Sequence, residues 1–145
     1  MAEVRLVSAN LLDLGGMSFE AHTPSGHSLT LDASAEHGGI GHGPSPMEVL
    51  LVALAGCTGM DVISLLRKMR QTVTSYEVRV SGTAADEHPR IYTSVDVEHV
   101  VTGLALDPSK VERAVELSAT RYCPVSATLS GVGTVHHRAT VRENP

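Results

Sequence analysis

Two cysteines, Cys57 and Cys123, are the residues with the clearest chemical potential in this sequence of 145 residues. Cys57 lies in the apolar run "ALAGCTGMD", and Cys123 directly precedes a proline in "ATRYCPVSATL". Two thiols can be unrelated core residues or one redox pair. Pro124 is typical of the first position of a helix, which places Cys123 at the N-cap, where free backbone N–H groups stabilise a thiolate. Local electrostatics therefore favour Cys123 as the more acidic thiol, and a small buried residue ahead of a helix is the alternative interpretation.

Cys57 has a different setting, because it lies well inside a predicted helix and far from the positive end of that helix. The carboxylate of Asp61, one turn later, disfavours a thiolate there by like charge. The glycines of "GCTG" let another element approach the helix closely. A close crossing in which Cys57 is only a compact apolar residue is the alternative to a reactive thiol.

Composition bounds the function of the chain. An apolar fraction of 42%, a charged fraction of 19% and a net charge of −5 are typical of a soluble globular protein. We expect one domain over residues 1–145 and, without a basic surface, no nucleic-acid partner. No signal-peptide pattern is seen at the start, and the uncharged run 49–60 is shorter than the roughly 20 residues of a bilayer span. We therefore expect no membrane association and a cytoplasmic, reducing location.

Hydrophobic periodicity predicts an α+β chain in the order βββ-α-ββ-αα-β with antiparallel sheet. Residues 3–31 read as a three-stranded meander, and the Gly-rich segment 34–45 reads as a flexible loop. A helix then begins after Ser45, with Glu48 completing a capping box, and runs to about Arg70. Its start is apolar on nearly every side, so we expect it to be buried all round.

The second half of the chain alternates between strand and helix patterns. Residues 73–84 and 90–103 predict a long hairpin. Asp107 and Pro108 open a second helix, "CPVSATLSG" predicts a short third one, and residues 132–143 predict a last strand.

Three stretches together resemble the OsmC/Ohr family of organic-hydroperoxide-resistance proteins: "GPSPMEVLLVALAGCTGMDV", "YEVRVSGTAADEHPRIYTSVDVEHVVTG" and "KVERAVELSATRYCPVSATL". The resemblance implies an intertwined homodimer in which antiparallel sheets wrap two long central helices. It implies a thiol peroxidase for organic hydroperoxides, in which Cys57 is peroxidatic and forms a sulfenic acid. Cys123 would be the resolving cysteine and would condense with it to a disulfide. An external dithiol, lipoyl-type in part of the family, would then reduce the disulfide, with no bound cofactor.

The sequence departs from the peroxidase branches of the family at the groups that activate the thiol. Those branches pair an Arg of the N-terminal meander with a Glu directly after the helix-opening proline. Here Met47 follows that proline, and the meander segment "GGMSFEAHTPSG" contains no Arg. Arg121 and His42 are the weak candidates for a replacement cation. The chain therefore resembles a less-characterised OsmC-like branch.

The eight histidines show no recognisable metal-ligand spacing, and we expect no metal. His99, on an alternating strand, reads as a half-buried surface residue. His136 and His137 are adjacent on a strand and so point to opposite faces of its sheet.

Two functions from different classes fit these observations. The first is a cytoplasmic thiol peroxidase that uses Cys57 and Cys123 as its redox pair. The second is a non-enzymatic dimer that binds a small apolar ligand or senses redox state slowly. The missing Arg–Glu pair favours the second, and the presence of both cysteines favours the first, which we prefer.

Overall fold

Three short strands open the chain in the computed structural model, which describes residues 2–131 and 133–144. They are β1 (Ser8–Leu11), β2 (Phe19–His22) and β3 (Ser28–Leu31). Both neighbouring pairs are antiparallel, so the predicted meander is confirmed. The chain divides at Leu50 into two compact units, and this sheet belongs to the first.

The Gly-rich segment after β3 is held by one buried carboxylate, although its composition predicts a flexible loop. Asp32 is 3% exposed. Its oxygens accept backbone N–H bonds from Ala33 at 2.7 Å, His42 at 2.9 Å and Ile40 at 3.3 Å. These bonds gather the loop around the side chain, and they lower the pKa of Asp32 to about 2, the His42 bond contributing most.

The first helix, α1 (Pro46–Lys68), begins with the predicted capping box. The Ser45 N–H donates to Glu48 Oε2 at 2.9 Å, and the Glu48 N–H donates to Ser45 Oγ at 3.2 Å. These reciprocal bonds satisfy backbone donors that the first helical turn leaves free. They also account for Glu48 without a catalytic role.

The prediction that α1 is buried all round is wrong for the single chain. Its buried residues repeat every four positions and lie on one face: Leu54, Thr58, Val62 and Leu66. Val52 and Met60 are 65% and 72% exposed. Apolar residues on every side of a helix indicate only that its whole surface has to be buried. The other elements of a single chain bury one face of α1.

α1 also has the length and apolar composition of a membrane-spanning helix, the sole such case in the described residues. It has 23 residues and a mean hydropathy of 2.1 over its most apolar window, of which 22% is buried. Core helices of water-soluble proteins can share this length and composition.

The second unit contains a mixed three-stranded sheet. β4 (Thr72–Ala84) and β5 (Tyr92–Leu104) pair as the predicted antiparallel hairpin. β6 (Thr134–Glu143) pairs with β5 in parallel, in register from Ser94↔Thr134 to Gly103↔Glu143. The prediction of a wholly antiparallel sheet is therefore wrong at this pair, because helices rather than a tight turn connect the two strands. The first predicted residue of the last strand, Val132, lies outside the described residues.

Two helices make that connection. α2 (Pro108–Leu117) begins at the predicted N-cap, where Asp107 accepts a bond from the Ser109 N–H. A π-helical turn, Ser118–Tyr122, follows α2 and precedes α3 (Pro124–Ser130). Val111, Ala114 and Val115 of α2 join Val62 and Leu66 of α1 in one core cluster.

Candidate functional site

The two cysteines, 66 positions apart in the chain, meet in one apolar cluster of the second unit. Cys123 belongs to its buried core with Leu54, Val95 and Val97, and Cys57 packs against it half-buried. Burial raises the pKa of Cys123, and the neighbouring Cys57 adds to the rise. The fold thus brings both predicted redox residues together, and their roles stay predictions.

Cys57 has a covered and an uncovered side. At Gly59 a Cβ would lie 3.3 Å from a methyl group of Val78 and 4.0 Å from the Tyr76 ring, so the small residue lets β4 approach α1. At Gly56 a Cβ would meet nothing within 4 Å. The predicted close approach therefore occurs on the sheet side, and the turn immediately before Cys57 has open space beside it.

Cys123 occupies the predicted N-cap of α3. Its backbone N–H donates to the Ser118 carbonyl at 2.9 Å, and its sulfur accepts from the Ser126 N–H at 3.3 Å. Burial nevertheless raises the pKa of Cys123 to about 11, against the lowering contributed by that N–H bond. The prediction that the helix start favours a thiolate at Cys123, and so makes it the more acidic thiol, is wrong in its cause. Cys123 is 3% exposed, and desolvation raises its pKa by more than the N–H bonds of a seven-residue helix lower it.

A buried hydroxyl pair joins α1 to the turn before Cys123. Thr58 and Ser118 are fully buried, with their oxygens 2.7 Å apart. Ser118 Oγ donates to Asp61 Oδ2 at 3.0 Å, so the single hydroxyl hydrogen left for the pair is that of Thr58, which donates to Ser118. Since the Ser118 carbonyl also accepts the Cys123 N–H, the π-helical turn fixes Cys123 relative to the residue after Cys57. Such turns often occur at functional sites.

A second buried network crosses the inner face of the mixed sheet. Tyr76 Oη lies 2.6 Å from His99 Nδ1, and His99 Nε2 lies 3.2 Å from His137 Nδ1. His137 Nε2 lies 3.2 Å from Ser126 Oγ, on the residue whose N–H reaches Cys123. The tyrosine and the two imidazoles stack at 19° between successive ring planes.

Burial and neighbouring charges shift the pKa values along this network. Burial lowers the pKa of His99 to about 4, with His137 adding to the effect, and burial also lowers the pKa of His137. Burial, helped by the Asp61 carboxylate, raises the pKa of the Tyr76 phenol. Both imidazoles are therefore neutral and the phenol is protonated at neutral pH.

The interpretation of His99 as a half-buried surface residue is wrong, since its side chain is fully buried. The sequence contained a signal for this burial. His99 is an even number of residues from Val95, Val97 and Val101, so its side chain points to the same, buried face of the strand. His136 is exposed and His137 points inward, as the alternation predicts. Among residues 2–131 and 133–144, no three metal-ligating side chains come together in a possible metal site.

The two candidates for an activating cation have other contacts. The exposed Arg121 guanidinium lies 5.5 Å from the centre of the Tyr122 ring. His42 is exposed in the first unit, and its backbone N–H serves Asp32. Their predicted role in activation stays a prediction.

This α+β fold, with two three-stranded sheets and three helices, matches the structures of OsmC-like proteins. The chain belongs to this family, since the sequence model of the family OsmC-like protein matches residues 37–137. Protein YhfA of Escherichia coli strain K12 is 37% identical over 122 residues, which cover 84% of this chain and 88% of that protein.

Solved structures agree with this assignment. A crystal structure of a hypothetical protein from Aquifex aeolicus VF5 has a TM-score of 0.85 at 28% identity, with 99% of this chain and 100% of that chain covered. An organic hydroperoxide resistance protein OsmC from Legionella pneumophila has a TM-score of 0.68 at 19% identity, with 98% of each chain covered. At that identity the second likeness concerns the fold alone.

Proposed function

We propose that this protein is a thiol peroxidase that reduces organic hydroperoxides through a Cys57–Cys123 sulfenic acid and disulfide cycle. The observation that carries the proposal is that the two thiols share one apolar cluster, in which Cys57 contributes to the raised pKa of Cys123. Membership of the OsmC-like family supports it, as does the fold shared with the Legionella organic hydroperoxide resistance protein.

Cys57 is the thiol that meets the hydroperoxide first. It is half-buried beside open space at Gly56, whereas Cys123 is buried and its pKa is raised to about 11. The Cys57 sulfur attacks the terminal oxygen of ROOH, the O–O bond breaks, and the alcohol ROH leaves with the thiol proton. Cys57 then carries a sulfenic acid, Cys–S–OH.

Cys123 resolves this intermediate. Its sulfur attacks the Cys57 sulfur, the S–S bond forms, and the sulfenic hydroxyl leaves as water with the Cys123 proton. An external dithiol reduces the disulfide to two thiols and is itself oxidised, so no bound cofactor is required. Arg121 and His42 remain the candidates for the cation that activates Cys57.

We propose that a second copy of the chain covers the exposed apolar face of α1. Val52 and Met60 are the large exposed side chains of its central turns, and burying each is worth about 1.5–3 kcal/mol. A cytoplasmic homodimer sediments as a single species of twice the chain mass, and Val52→Asp with Met60→Asp shifts it toward monomer. A native chain that sediments as a monomer at micromolar concentration contradicts the dimer.

Hydroperoxide consumption tests the peroxidase directly. With cumene hydroperoxide and a dithiol reductant, we expect turnover by the native chain and none above background by Cys57→Ser. Cys123→Ser should complete the first oxidation and then stall as sulfenic or overoxidised Cys57. Equal background rates for the native chain and Cys57→Ser would rule out the peroxidase and leave a dimer that binds a small apolar ligand.

A further inference from the structure

The buried network Tyr76–His99–His137–Ser126 ends at the resolving cysteine, and the peroxidase chemistry above does not use it. We propose that His137 is a positioning residue for Cys123: through Ser126 it holds the first turn of α3 so that the Ser126 N–H donates to the Cys123 sulfur. Tyr76 and His99 orient the imidazole that does so. This inference rests on the proposed function for its role in catalysis, although the positioning itself can be tested without peroxide.

Ser126 is the link between the sheet and the thiol. It is 2% exposed, its N–H lies 3.3 Å from Cys123 Sγ, and its Oγ lies 3.2 Å from His137 Nε2. α3 has seven residues, which is too short for a helix to hold its own first turn in place. The hydrogen bond from His137 on β6 therefore holds this turn in place, which the short helix cannot do alone.

The hydrogen bonds along the network couple the tautomers of His99 and His137. A neutral imidazole has one donor nitrogen and one acceptor nitrogen, so the chain of bonds runs in one direction along its whole length. If the Tyr76 O–H donates to His99, both histidines carry their proton on Nε2. If the Ser126 O–H donates to His137, both carry it on Nδ1. The two histidines thus share one tautomer, and a change at either end is felt at the other.

The positioned N–H acts in the condensation of Cys123 with the Cys57 sulfenic acid. As the Cys123 sulfur loses its proton and forms the S–S bond, negative charge develops on it, and the Ser126 N–H stabilises that charge. The leaving hydroxyl takes the proton and departs as water. The earlier oxidation of Cys57 makes no use of this N–H, so loss of His137 should slow the second step and spare the first.

Two substitutions test the roles of the two ring nitrogens of His137 separately. The amide of His137→Gln reaches the place of Nε2 and keeps the bond to Ser126, whereas the amide of His137→Asn reaches the place of Nδ1 and keeps the bond to His99. After rapid mixing with cumene hydroperoxide, a sulfenic-acid trap reports the first step and mass spectrometry of the disulfide reports the second. We expect His137→Asn to slow disulfide formation by roughly tenfold, the effect of losing a hydrogen bond to a charged group. We expect His137→Gln to restore most of that rate.

Ser126→Ala is the second variant, since it removes only the hydroxyl and leaves α3 its backbone. It should reproduce the slow condensation of His137→Asn, and the double variant should be no slower than either single one. Equal losses in His137→Gln and His137→Asn, or equal slowing of both chemical steps, would overturn the proposal in favour of a general structural role.

An experiment without hydroperoxide tests the positioning of Cys123 independently of the proposed peroxidase activity. In a Cys57→Ser background, Cys123 is the single thiol, and its reaction with 4,4′-dithiodipyridine at pH 7 reports its environment directly. His137→Asn should slow this reaction by roughly tenfold, with His137→Gln close to the parent. If hydroperoxide leaves Cys57 unoxidised, the peroxidase fails while this arm still decides the positioning. If both variants react like the parent, the positioning fails.

Discussion

Asp32 and Cys123 are each 3% exposed and each accepts bonds from backbone N–H groups, yet their pKa values move in opposite directions. Three N–H groups reach the Asp32 carboxylate, the shortest at 2.7 Å, and its pKa falls to about 2. At Cys123 burial dominates, a 3.3 Å bond from Ser126 opposes it, and the neighbouring Cys57 thiol adds to the rise. The number and closeness of the donors, set against the cost of burial, decide the direction in which each pKa moves from its ordinary value.

The difference assigns different tasks to the two regions. The first unit uses a permanent charge to organise a loop. The thiol site keeps Cys123 protonated at neutral pH, which fits the resolving role that we propose for it.

Removing the charge should disrupt the first region most. Asp32→Ala leaves three backbone N–H groups without their acceptor, so we expect the Ile40 and His42 amides to lose their protection against hydrogen exchange. Asp32→Asn keeps one acceptor oxygen and should lose less. Asp13→Ala, at an exposed carboxylate that accepts a single N–H from Gly15, is the matched control and should leave both amides protected. Protection unchanged in Asp32→Ala would contradict the caging of the loop.

The second region should weaken at a higher pH than the first. The pKa of His99 falls from 6.5 to about 4 on folding, so the unfolded chain binds the additional proton between these values. Stability is therefore greatest above pH 6.5 and declines toward pH 4, by about 3 kcal/mol for this group. The contribution of Asp32 is present above its ordinary value of 3.8 and disappears only as pH falls through about 2.

Urea unfolding between pH 7 and pH 4 measures how the free energy of unfolding changes over the range in which His99 contributes. His136→Gln, on the exposed neighbour of His137, is the control and should keep the slope of stability against pH. A stability that does not change between pH 6.5 and pH 4 would show that His99 is not held neutral.

The smallest effect expected is on the thiol itself. Cys57→Ala removes the neighbouring thiol, one of the causes that raise the pKa of Cys123, and leaves burial, the largest, in place. We expect a modest fall in the Cys123 pKa, read from the pH dependence of thiolate absorbance. Cys57→Ser keeps a hydroxyl at that position and should show a smaller fall. An unchanged Cys123 pKa in Cys57→Ala would mean that the two thiols do not interact, and a rise would mean that Cys57 stabilises the Cys123 thiolate.

Much of the fold was predictable from local rules. The capping box at Ser45 and Glu48, the N-cap at Asp107 and the helix start at Pro124 all form as the sequence predicts. These features depend on residues three positions apart or fewer, so no tertiary information is needed to see them.

The errors lie where distant residues meet. The parallel pairing of β5 with β6, the burial of His99 and the raised pKa of Cys123 each depend on which elements cover a residue. Asp32 was missed because the glycines that follow it suggest mobility, whereas its carboxylate accepts the N–H groups of Ile40 and His42, which lie between those glycines. The pairing of Cys57 with Cys123 came from family resemblance, since no local pattern joins residues so far apart.

The most direct test of the redox pair is the covalent state of the chain after one equivalent of cumene hydroperoxide. We predict the loss of both thiols and of the mass of two hydrogens, with a peptide map that links Cys57 to Cys123. A chain that stays fully reduced, or one in which Cys57 oxidises to sulfinic acid while Cys123 remains a thiol, would contradict the paired mechanism.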